Sequence, residues 1–307
     1  MRNLEKYKGV IPAFYACYDN QGNISPERIK NLAIYLRDKG VNGLYVGGSS
    51  GECIYQNVEE RKLVLESVVE AVGKDLIIIA HIAANSTKDS IELAKHAESL
   101  NVDAIAAIPP IYFRLPEQSI EDYWADMIQA TDLDFFIYNI PATTNYTLSI
   151  KQFQKMLEYE NVIGVKNSSM PIQDIYLFKK NADGKVVVFN GPDEQYIGGR
   201  VMGADGGIGG TYGAMPELFL AIEKALKINE IELAREIQYA INNVIFGFFE
   251  CEGNMYSVIK GILRSKGIDI GEVRKPLSKI TNNDVNKINK LVKQIDNYVD
   301  RYKYLLN

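Results

Sequence analysis

The sequence predicts an α/β protein whose fold is a (β/α)8 TIM barrel with additional C-terminal helices. Short apolar segments alternate with amphipathic segments eight times within about 225 of the 307 residues. The apolar segments lack the regular polar alternation of a half-exposed strand, which is typical of parallel strands that are covered on both faces. Eight such units favour a closed barrel over an open doubly wound sheet.

Each predicted strand is followed by a predicted helix. Ser25 is the expected N-cap of the first helix, with Pro26 at its first position, and Ser86 is the expected cap of the third. The strands, in order, are GVIPAFYACY, GLYVGG, LIIIAHIAA, AIAAIPP, DFFIYNIP, VIGVKNSS, KVVVFNGPDE and GGIGGTYGA. The helices that follow them are SPERIKNLAIYLRDKG, VEERKLVLESVVEAVG, STKDSIELAKHAESL, SIEDYWADMIQAT, SIKQFQKMLEYE, PIQDIYLFKKN, QYIGGRVMG and PELFLAIEKALKI.

The last part of the chain has no strand pattern. Three segments there, 231–250, 254–267 and 283–306, have the character of helices that pack beside the barrel. No linker rich in Pro, Gly or Ser separates them from the barrel. We therefore expect a catalytic barrel at 1–228 and a helical extension at 229–307 that packs on it.

Composition and charge narrow the function. The formal net charge is −5 and the pI is near 5.3, which argues against a nucleic-acid partner. No apolar run approaches the ~20 residues that cross a bilayer. The N-terminal stretch MRNLEKYKGVIPAFY lacks the apolar region of a signal peptide, so we expect a cytoplasmic protein.

Cysteine and histidine are too few and too scattered to indicate a metal centre. Cys17, Cys53 and Cys251 are widely spaced and form no CxxC pair, which argues against a disulfide framework and a zinc site. His81 and His96 are the two imidazoles of the chain. We expect no metal centre.

Lys166 ends the apolar strand that begins at Val162. One interpretation is that the strand reaches the surface there, because lysine is almost never fully buried. The other is that Lys166 lies in a pocket as a nucleophile. A lysine attacks a ketone as the neutral amine, so its pKa must fall from about 10.4, which enclosure at the top of a barrel would achieve.

Other chemically useful residues also lie at the C-terminal ends of predicted strands, where barrels carry their chemistry. A tyrosine beside the lysine could transfer protons, and two hydroxyls in a glycine-flanked turn could hold a carboxylate with the backbone N–H groups. Carboxylate side chains at a strand end could accept hydrogen bonds from sugar hydroxyls. These residues are Ser49, Ser50 and Glu52 after the second strand, Tyr112 after the fourth, Tyr138 after the fifth, Ser168 after the sixth, Gly191, Asp193 and Glu194 after the seventh, and Gly209, Gly210 and Thr211 after the eighth.

Each of these residues also has a purely structural interpretation. The segment GGSSGE could be a simple turn, Tyr138 a strand residue with one hydrogen bond, and Tyr112 an ordinary loop aromatic. Asp193 and Glu194 could cap a helix and complement its dipole.

Five motifs occur in an order that identifies a family. The order G-S-S-G-E, Y-N-I-P, G-V-K, G-x-D-E and G-A-D-G-G-I-G resembles the N-acetylneuraminate lyase and dihydrodipicolinate synthase superfamily of class I, Schiff-base pyruvate aldolases. The resemblance covers nearly the whole chain. It implies a small-molecule substrate, a 2-keto-3-deoxy sugar acid that yields pyruvate, and a homotetramer without metal or cofactor.

The resemblance also implies a role for each matching residue. Lys166 matches the lysine that forms the Schiff base, and Tyr138 matches the tyrosine that relays protons. Ser49 and Ser50 match the hydroxyl pair that binds the pyruvoyl carboxylate. The remaining matches are Ser168 near the aldol carbon, Tyr112 reaching into the neighbouring subunit's site, and Gly191, Asp193, Glu194 and Gly209 around the polyol tail and amide of sialic acid.

Departures from the family pattern concern the second substrate and the sugar. Dihydrodipicolinate synthases carry an arginine for a second carboxylate where this chain has Thr143, which counts against that activity. Lyases have a serine where this chain has Gly210, and a G-V pair where it has Asn145 and Tyr146. We expect both of these changes to touch the sugar pocket.

These observations predict an aldolase that cleaves N-acetylneuraminate to N-acetylmannosamine and pyruvate. One alternative is a related pyruvate-dependent aldolase or synthase that acts on another 2-keto-3-deoxy acid. A barrel that binds sugar acids without turning them over is a second alternative, from a different class of protein, although neither Lys166 nor Tyr138 is substituted.

Overall fold

Eight parallel strands form one sheet in a computed structural model that describes residues 3–306. Along the sheet the strands follow the order β1-β8-β7-β6-β5-β4-β3-β2. Their bounds are β1 Gly9–Pro12, β2 Gly43–Val46, β3 Ile77–His81, β4 Ala104–Ala107, β5 Asp134–Asn139, β6 Val162–Asn167, β7 Val187–Asn190 and β8 Gly206–Gly209.

The first and second strands close the sheet into a barrel. Ala13, just after β1, forms a parallel bridge with Tyr45 of β2. The amide of Phe14 donates to the carbonyl of Tyr45 at 2.8 Å, and the amide of Asn42 donates to the carbonyl of Val10 at 2.9 Å. The predicted (β/α)8 barrel is confirmed.

Helices cover the outside of the barrel. Ser25 and Ser86 cap their helices as predicted, each accepting a backbone N–H three residues later. A short helix at 141–144, which the sequence did not indicate, follows β5. The helices are α1 Pro26–Asp38, α2 Val58–Val72, α3 Thr87–Ser99, α4 Glu117–Ile128, α5 Pro141–Thr144, α6 Ile150–Met156, α7 Gln173–Asn181, α8 Tyr196–Val201, α9 Pro216–Lys227, α10 Ile231–Phe249, α11 Met255–Ser265 and α12 Asn282–Tyr302.

The hydrophobic core has two parts, which lie on opposite faces of the sheet. The larger part packs between the strands and the helices. The smaller part fills the barrel, and it includes Ile11, Tyr45, Phe136, Tyr138 and Phe189. Because successive strand residues point to opposite faces, each strand supplies both parts. The barrel interior is therefore packed with apolar side chains, and the C-terminal ends of the strands lie directly above this apolar layer.

Helices α10, α11 and α12 form the C-terminal part of the fold. Helix α9 ends at Lys227 and α10 begins at Ile231, so the predicted boundary at residue 228 falls between two helices. One hydrophobic cluster contains residues from both sides of that boundary. The division at 228 stays a prediction. None of the helices described between residues 3 and 306 is long and apolar enough to cross a membrane.

Candidate active site

Lys166 lies inside the barrel mouth and is only 4% exposed. On the parallel ladder it is paired with Tyr138 of β5 on one side and with Phe189 of β7 on the other. Its Nζ atom lies 3.8 Å from the centroid of the Tyr138 ring. The surface interpretation of this strand-end lysine is therefore wrong, because its side chain is buried at the strand end and does not point into solvent.

Burial changes the protonation of Lys166. Desolvation disfavours the ammonium form and lowers the pKa of Lys166 to about 7, although the carboxyl group of Asp193 opposes the shift. No hydrogen bond or ion pair joins Nζ to a side chain within the described part of the chain, 3–306. Near neutral pH a large fraction of Lys166 is thus a neutral amine, the form that attacks a carbonyl.

We expect the reactivity of Lys166 toward a small acylating reagent to rise through pH 7, because only the neutral amine reacts. Competitive acetylation across pH 5.5–11, read by peptide mapping, measures the midpoint. Lys185, an exposed lysine before β7, is mapped in the same digests as an internal control for the reagent.

The Asp193→Asn variant tests the cause of the shift. It removes the carboxyl group that raises the pKa of Lys166, so its midpoint should move to lower pH. A midpoint near 10 for Lys166 in the unaltered protein would contradict the dry pocket.

The phenol of Tyr138 lies near the hydroxyl groups of Ser168 and Ser49. Burial raises the pKa of its phenol well above 10, while hydrogen bonds with Ser168 and Ser49 oppose that shift. Tyr138 is therefore protonated near neutral pH, and the hydroxyls of Ser168 and Ser49 lie close enough to its phenol to affect its pKa. The structure brings together Lys166, Tyr138, Ser168 and Ser49, as the sequence predicted.

A tight turn after β2 carries the two serines. Gly47 has a φ of 77°, a left-handed conformation that glycine adopts without strain, and the chain then forms a short 3-10 turn at Ser49–Gly51. Ser50 is buried, and its Oγ donates to the hydroxyl of Tyr256 at 3.4 Å. A side chain at Gly210 would begin 3.1 Å from the same Oγ. The turns after β2 and β8 therefore lie against each other.

Asp193 lies next to the end of β8. Its Oδ2 accepts hydrogen bonds from the amide and hydroxyl of Thr211, at 2.7 and 2.6 Å, and its Oδ1 is buried without a partner among residues 3–306. Burial raises the pKa of Asp193 to about 7. Asp193 is not a helix N-cap, because Pro192 holds that position, but Asp193 and Glu194 do lie in the first turn of the short 3-10 helix Asp193–Gln195, as the structural alternative expected.

Glycine at 191 and 209 keeps the strand ends close together. A β-carbon at Gly191 would lie 2.0 Å from Ser168 Oγ, and one at Gly209 would lie 2.1 Å from Asp193 Oδ1. Helix α10 fixes the loop between them, because Gln238 donates to the carbonyl of Asp193 at 3.1 Å. Glu194 is half-buried beside Asp193. These glycines act by leaving room for other groups.

Two of the residues singled out from the sequence lie elsewhere. Tyr112 is 93% exposed, has a φ of 80°, and contacts Phe113 edge to face. Tyr146 packs against Trp124 and belongs to the core beneath the helices. The expectation that position 146 touches the sugar pocket stays a prediction.

Sequence reasoning missed Tyr45 and Tyr256. Tyr45 lies in an apolar strand, and the one sequence feature that could have indicated it is a hydroxyl group in an otherwise aliphatic segment. Tyr256 comes from α11, in the extension, and nothing near it in sequence connects it with Ser50, which is 206 positions away. His81 also borders the site, and burial lowers the pKa of its imidazole to about 3, so it is neutral.

A buried ion pair joins the serine turn to the C-terminal helices. Lys260 Nζ lies 2.8 Å from Glu52 Oε1, and both side chains are at most 1% exposed. The other carboxylate oxygen of Glu52 accepts the amide of Arg274 at 2.8 Å. Glu52 has a left-handed φ of 53°, so these contacts hold a backbone conformation that non-glycine residues rarely adopt.

We expect Lys260→Met to lower the free energy of unfolding by about 3–5 kcal/mol, because it leaves the buried carboxylate of Glu52 without its counter-charge. Urea unfolding followed by circular dichroism measures the loss. Lys303→Met is the control, because Lys303 and Asp300 form an exposed pair and such pairs contribute about 0–1 kcal/mol. Equal effects from the two variants would show that the buried pair has no special role.

The (β/α)8 barrel, which here has a buried lysine beside a tyrosine at its strand ends, is the fold of a class of barrel lyases. Residues 6–295 match the Dihydrodipicolinate synthetase family, and the chain belongs to that family. The match covers the barrel and most of the C-terminal helices.

Individual relatives agree with this assignment. The chain is 55% identical over 297 residues to an N-acetylneuraminate lyase of Mediterraneibacter gnavus, covering 96% of this chain and 94% of the relative. It is 33% identical to N-acetylneuraminate lyase 2 of Escherichia coli, covering 97% of each. The structure of the wild-type sialic acid aldolase of Ruminococcus gnavus superposes with a TM-score of 0.96 at 53% identity, covering 97% of this chain and 99% of that one.

Proposed function

We propose that this protein cleaves N-acetylneuraminate reversibly to N-acetylmannosamine and pyruvate through a Schiff base on Lys166. The observation that carries the proposal is the dry lysine paired with Tyr138 at the barrel mouth. The 55% identity to a protein named N-acetylneuraminate lyase supports this choice of substrate.

The first half of the reaction forms the imine. The neutral amine of Lys166 attacks the C2 ketone of the open-chain sugar acid, whose carboxylate accepts hydrogen bonds from Ser49, Ser50 and the amides of their turn. Tyr138 supplies a proton to the ketone oxygen, which leaves as water. The product is a protonated imine, an electron sink beside the C3–C4 bond.

The second half breaks the carbon–carbon bond. Tyr138, with Ser168 beside it, takes the proton of the C4 hydroxyl. The C3–C4 electron pair moves into the imine to give an enamine, and C4 leaves as the aldehyde of N-acetylmannosamine. A proton then adds to C3, and water hydrolyses the imine to release pyruvate and the free amine of Lys166. The electron sink is the protonated imine that Lys166 forms with the substrate, so the mechanism uses no metal or organic cofactor.

Asp193 and Glu194 provide the subsite for the sugar. Asp193 Oδ1 has no partner among the described residues, so it is free to accept a hydroxyl of the polyol tail. Thr211 orients that carboxyl group through its other oxygen. Glu194 lies beside it and is half-buried, within reach of a second polar group of the sugar.

The direct test measures pyruvate release from N-acetylneuraminate with a coupled dehydrogenase. A panel of shorter 2-keto-3-deoxy acids, and the condensation of pyruvate with aspartate semialdehyde, serve as competitors. We expect N-acetylneuraminate to have the highest kcat/KM. A higher kcat/KM for a shorter acid would overturn the proposed substrate but not the proposed Schiff-base chemistry.

A related aldolase that acts on another 2-keto-3-deoxy acid is the second candidate. Gly210 favours it, because this position offers no hydroxyl to the tail of a long sugar. Thr143 counts against a synthase that binds a second carboxylate, since its hydroxyl donates to the carbonyl of Ile140 and brings no positive charge. The substrate panel separates these candidates.

We propose a homotetramer in which Tyr112 completes the site of a neighbouring subunit. Tyr112 and Phe113 are exposed and their rings meet edge to face, and Ile54, Met170, Tyr176, Val201 and Tyr239 are exposed apolar residues on other elements. Native mass spectrometry measures the subunit number. Mixing inactive Lys166→Met with Tyr112→Ala should restore part of the activity if Tyr112 acts across the interface, and no recovery would overturn that role.

We also propose a cytoplasmic location. Cys17, Cys53 and Cys251 are free thiols, and Cys17 and Cys53 are buried. Free thiols in place of disulfides are typical of reducing compartments. The net charge of −5 gives no support to a nucleic-acid partner.

A further inference from the structure

Two tyrosine rings surround the reactive nitrogen of Lys166. Its Nζ lies 4.1 Å from the centroid of the Tyr45 ring and 3.8 Å from that of Tyr138. The two rings meet edge to face, with centroids 5.8 Å apart and planes at 83°. Both distances are well inside the ~6 Å over which an aromatic face attracts a cation.

We propose that Tyr45 is a further catalytic residue, whose ring face stabilises the positive charge of the imine on Lys166. This inference rests on the proposed function, because it requires a Schiff base at that lysine. Tyr138 has a second task as a proton relay, whereas Tyr45 acts through its ring alone. The Tyr45 hydroxyl is buried and makes no hydrogen bond within residues 3–306, which agrees with a role for the ring.

The position of the ring is fixed by its surroundings. Tyr45 is fully buried in the interior cluster of the barrel. A β-carbon at Gly48 would lie 2.7 Å from Tyr45 Cε1, so the glycine after the strand leaves the space that the ring fills. The ring of His81 lies 6.0 Å away and is neutral. The ring therefore faces Nζ before any substrate arrives.

Imine formation places two opposite demands on the environment of Nζ. Before the reaction the nitrogen must be neutral, and afterwards it carries a positive charge that burial disfavours. A carboxylate in contact with Nζ would stabilise the imine, but it would also hold the resting lysine as ammonium. Aromatic faces attract a cation more weakly, so they stabilise the imine while a neutral amine remains accessible.

The covalent step balances without any further reactant. The lone pair of Nζ forms a bond to C2, the C2–O bond breaks, and the oxygen leaves as water after gaining two protons, one of them from Nζ. One proton from Tyr138 enters, so the product carries one positive charge on the nitrogen. That charge lies where Nζ lies now, over the Tyr45 ring.

The test varies the electron density of the ring at nearly constant shape. Tyr45→Phe is the reference, and phenylalanines with one, two and three ring fluorines at position 45 weaken the negative face stepwise. The readout is the pyruvate concentration that half-saturates trapping on Lys166 by cyanoborohydride, measured by intact mass. At pH 8.5 the resting amine is largely neutral, so the series reports the charge of the imine.

We expect half-saturation to require more pyruvate with each added fluorine, reaching about tenfold across the series. Tyr45→Leu, which removes the ring, should show a loss at least as large. The same fluorinated series at Phe153, whose ring meets Phe178 edge to face outside the barrel, is the matched control. It should leave the half-saturating pyruvate concentration unchanged.

The outcomes separate this inference from the proposed function. If the unaltered protein forms no pyruvate adduct on Lys166, the Schiff-base function itself fails. If it forms the adduct, and fluorination at position 45 has no effect or the same effect as at Phe153, the role of Tyr45 is overturned. Thermal melting shows whether each variant is folded, and because the fluorinated variants preserve shape, a failure of Tyr45→Leu to fold does not remove the test.

Discussion

Replacing Lys166 by methionine is expected to lower the rate of N-acetylneuraminate cleavage by about 10⁴-fold or more, the scale seen when a catalytic nucleophile is lost. Methionine fills a similar volume and removes a group whose burial is unfavourable when charged, so the fold should persist. The coupled pyruvate assay measures the rate, and borohydride reduction with pyruvate measures the adduct. Both signals should disappear together.

Lys185→Met provides the control for that experiment. Lys185 is exposed before β7, the strand next to the one that carries Lys166, so it tests the loss of a lysine outside the pocket. We expect full activity and a normal adduct. If Lys166→Met keeps substantial activity, or the adduct maps to another lysine, the Schiff-base proposal fails.

Tyr138→Phe should lower kcat by about 10²–10⁴-fold, the usual contribution of a positioned general acid or base. Removing the phenol takes away the hydroxyl that lies near Ser168 and Ser49 and leaves no group to carry protons to and from the substrate. The ring remains over Lys166, so pyruvate should still be trapped, although more slowly. The measurement is kcat alongside the trapping rate.

Tyr146→Phe is the matched control for Tyr138→Phe. Its hydroxyl is buried without a partner among the described residues, and its ring packs on Trp124 away from the pocket. We expect unchanged kcat and equal or greater stability, because the change removes an unsatisfied polar group. Similar losses of kcat in both variants would mean that Tyr138 acts through packing and not through its proton.

The sequence predicted the barrel and its lysine because both depend on local patterns. Apolar strands and amphipathic helices follow from periodicity. The position of Lys166 at a strand end places it at the barrel mouth, since all eight strands point the same way. Its ladder partner Tyr138 ends the neighbouring strand, so the pairing also followed from the order of strands.

Other parts of the site depend on contacts between distant segments, and local patterns do not encode those. Tyr256 reaches Ser50 from a helix beyond the barrel, and Lys260 reaches Glu52 from the same helix. Asp193 had the local features of a helix cap, yet its carboxyl group accepts the hydroxyl of Thr211, two residues after the next strand ends. In each case tertiary packing supplies the contact that fixes the side chain, and this contact outweighs the preference of the local sequence.

The Glu52–Lys260 pair also has a consequence for biosynthesis. The two residues are separated by 208 positions, so a ribosome that adds about 5–20 residues per second exposes Glu52 roughly 10–40 seconds before its counter-ion exists. During that interval the serine turn lacks its anchor, even if the strands around it have already paired. A nascent chain should therefore carry Lys166 without a finished carboxylate pocket, and activity should begin only when α11 has been translated and docked.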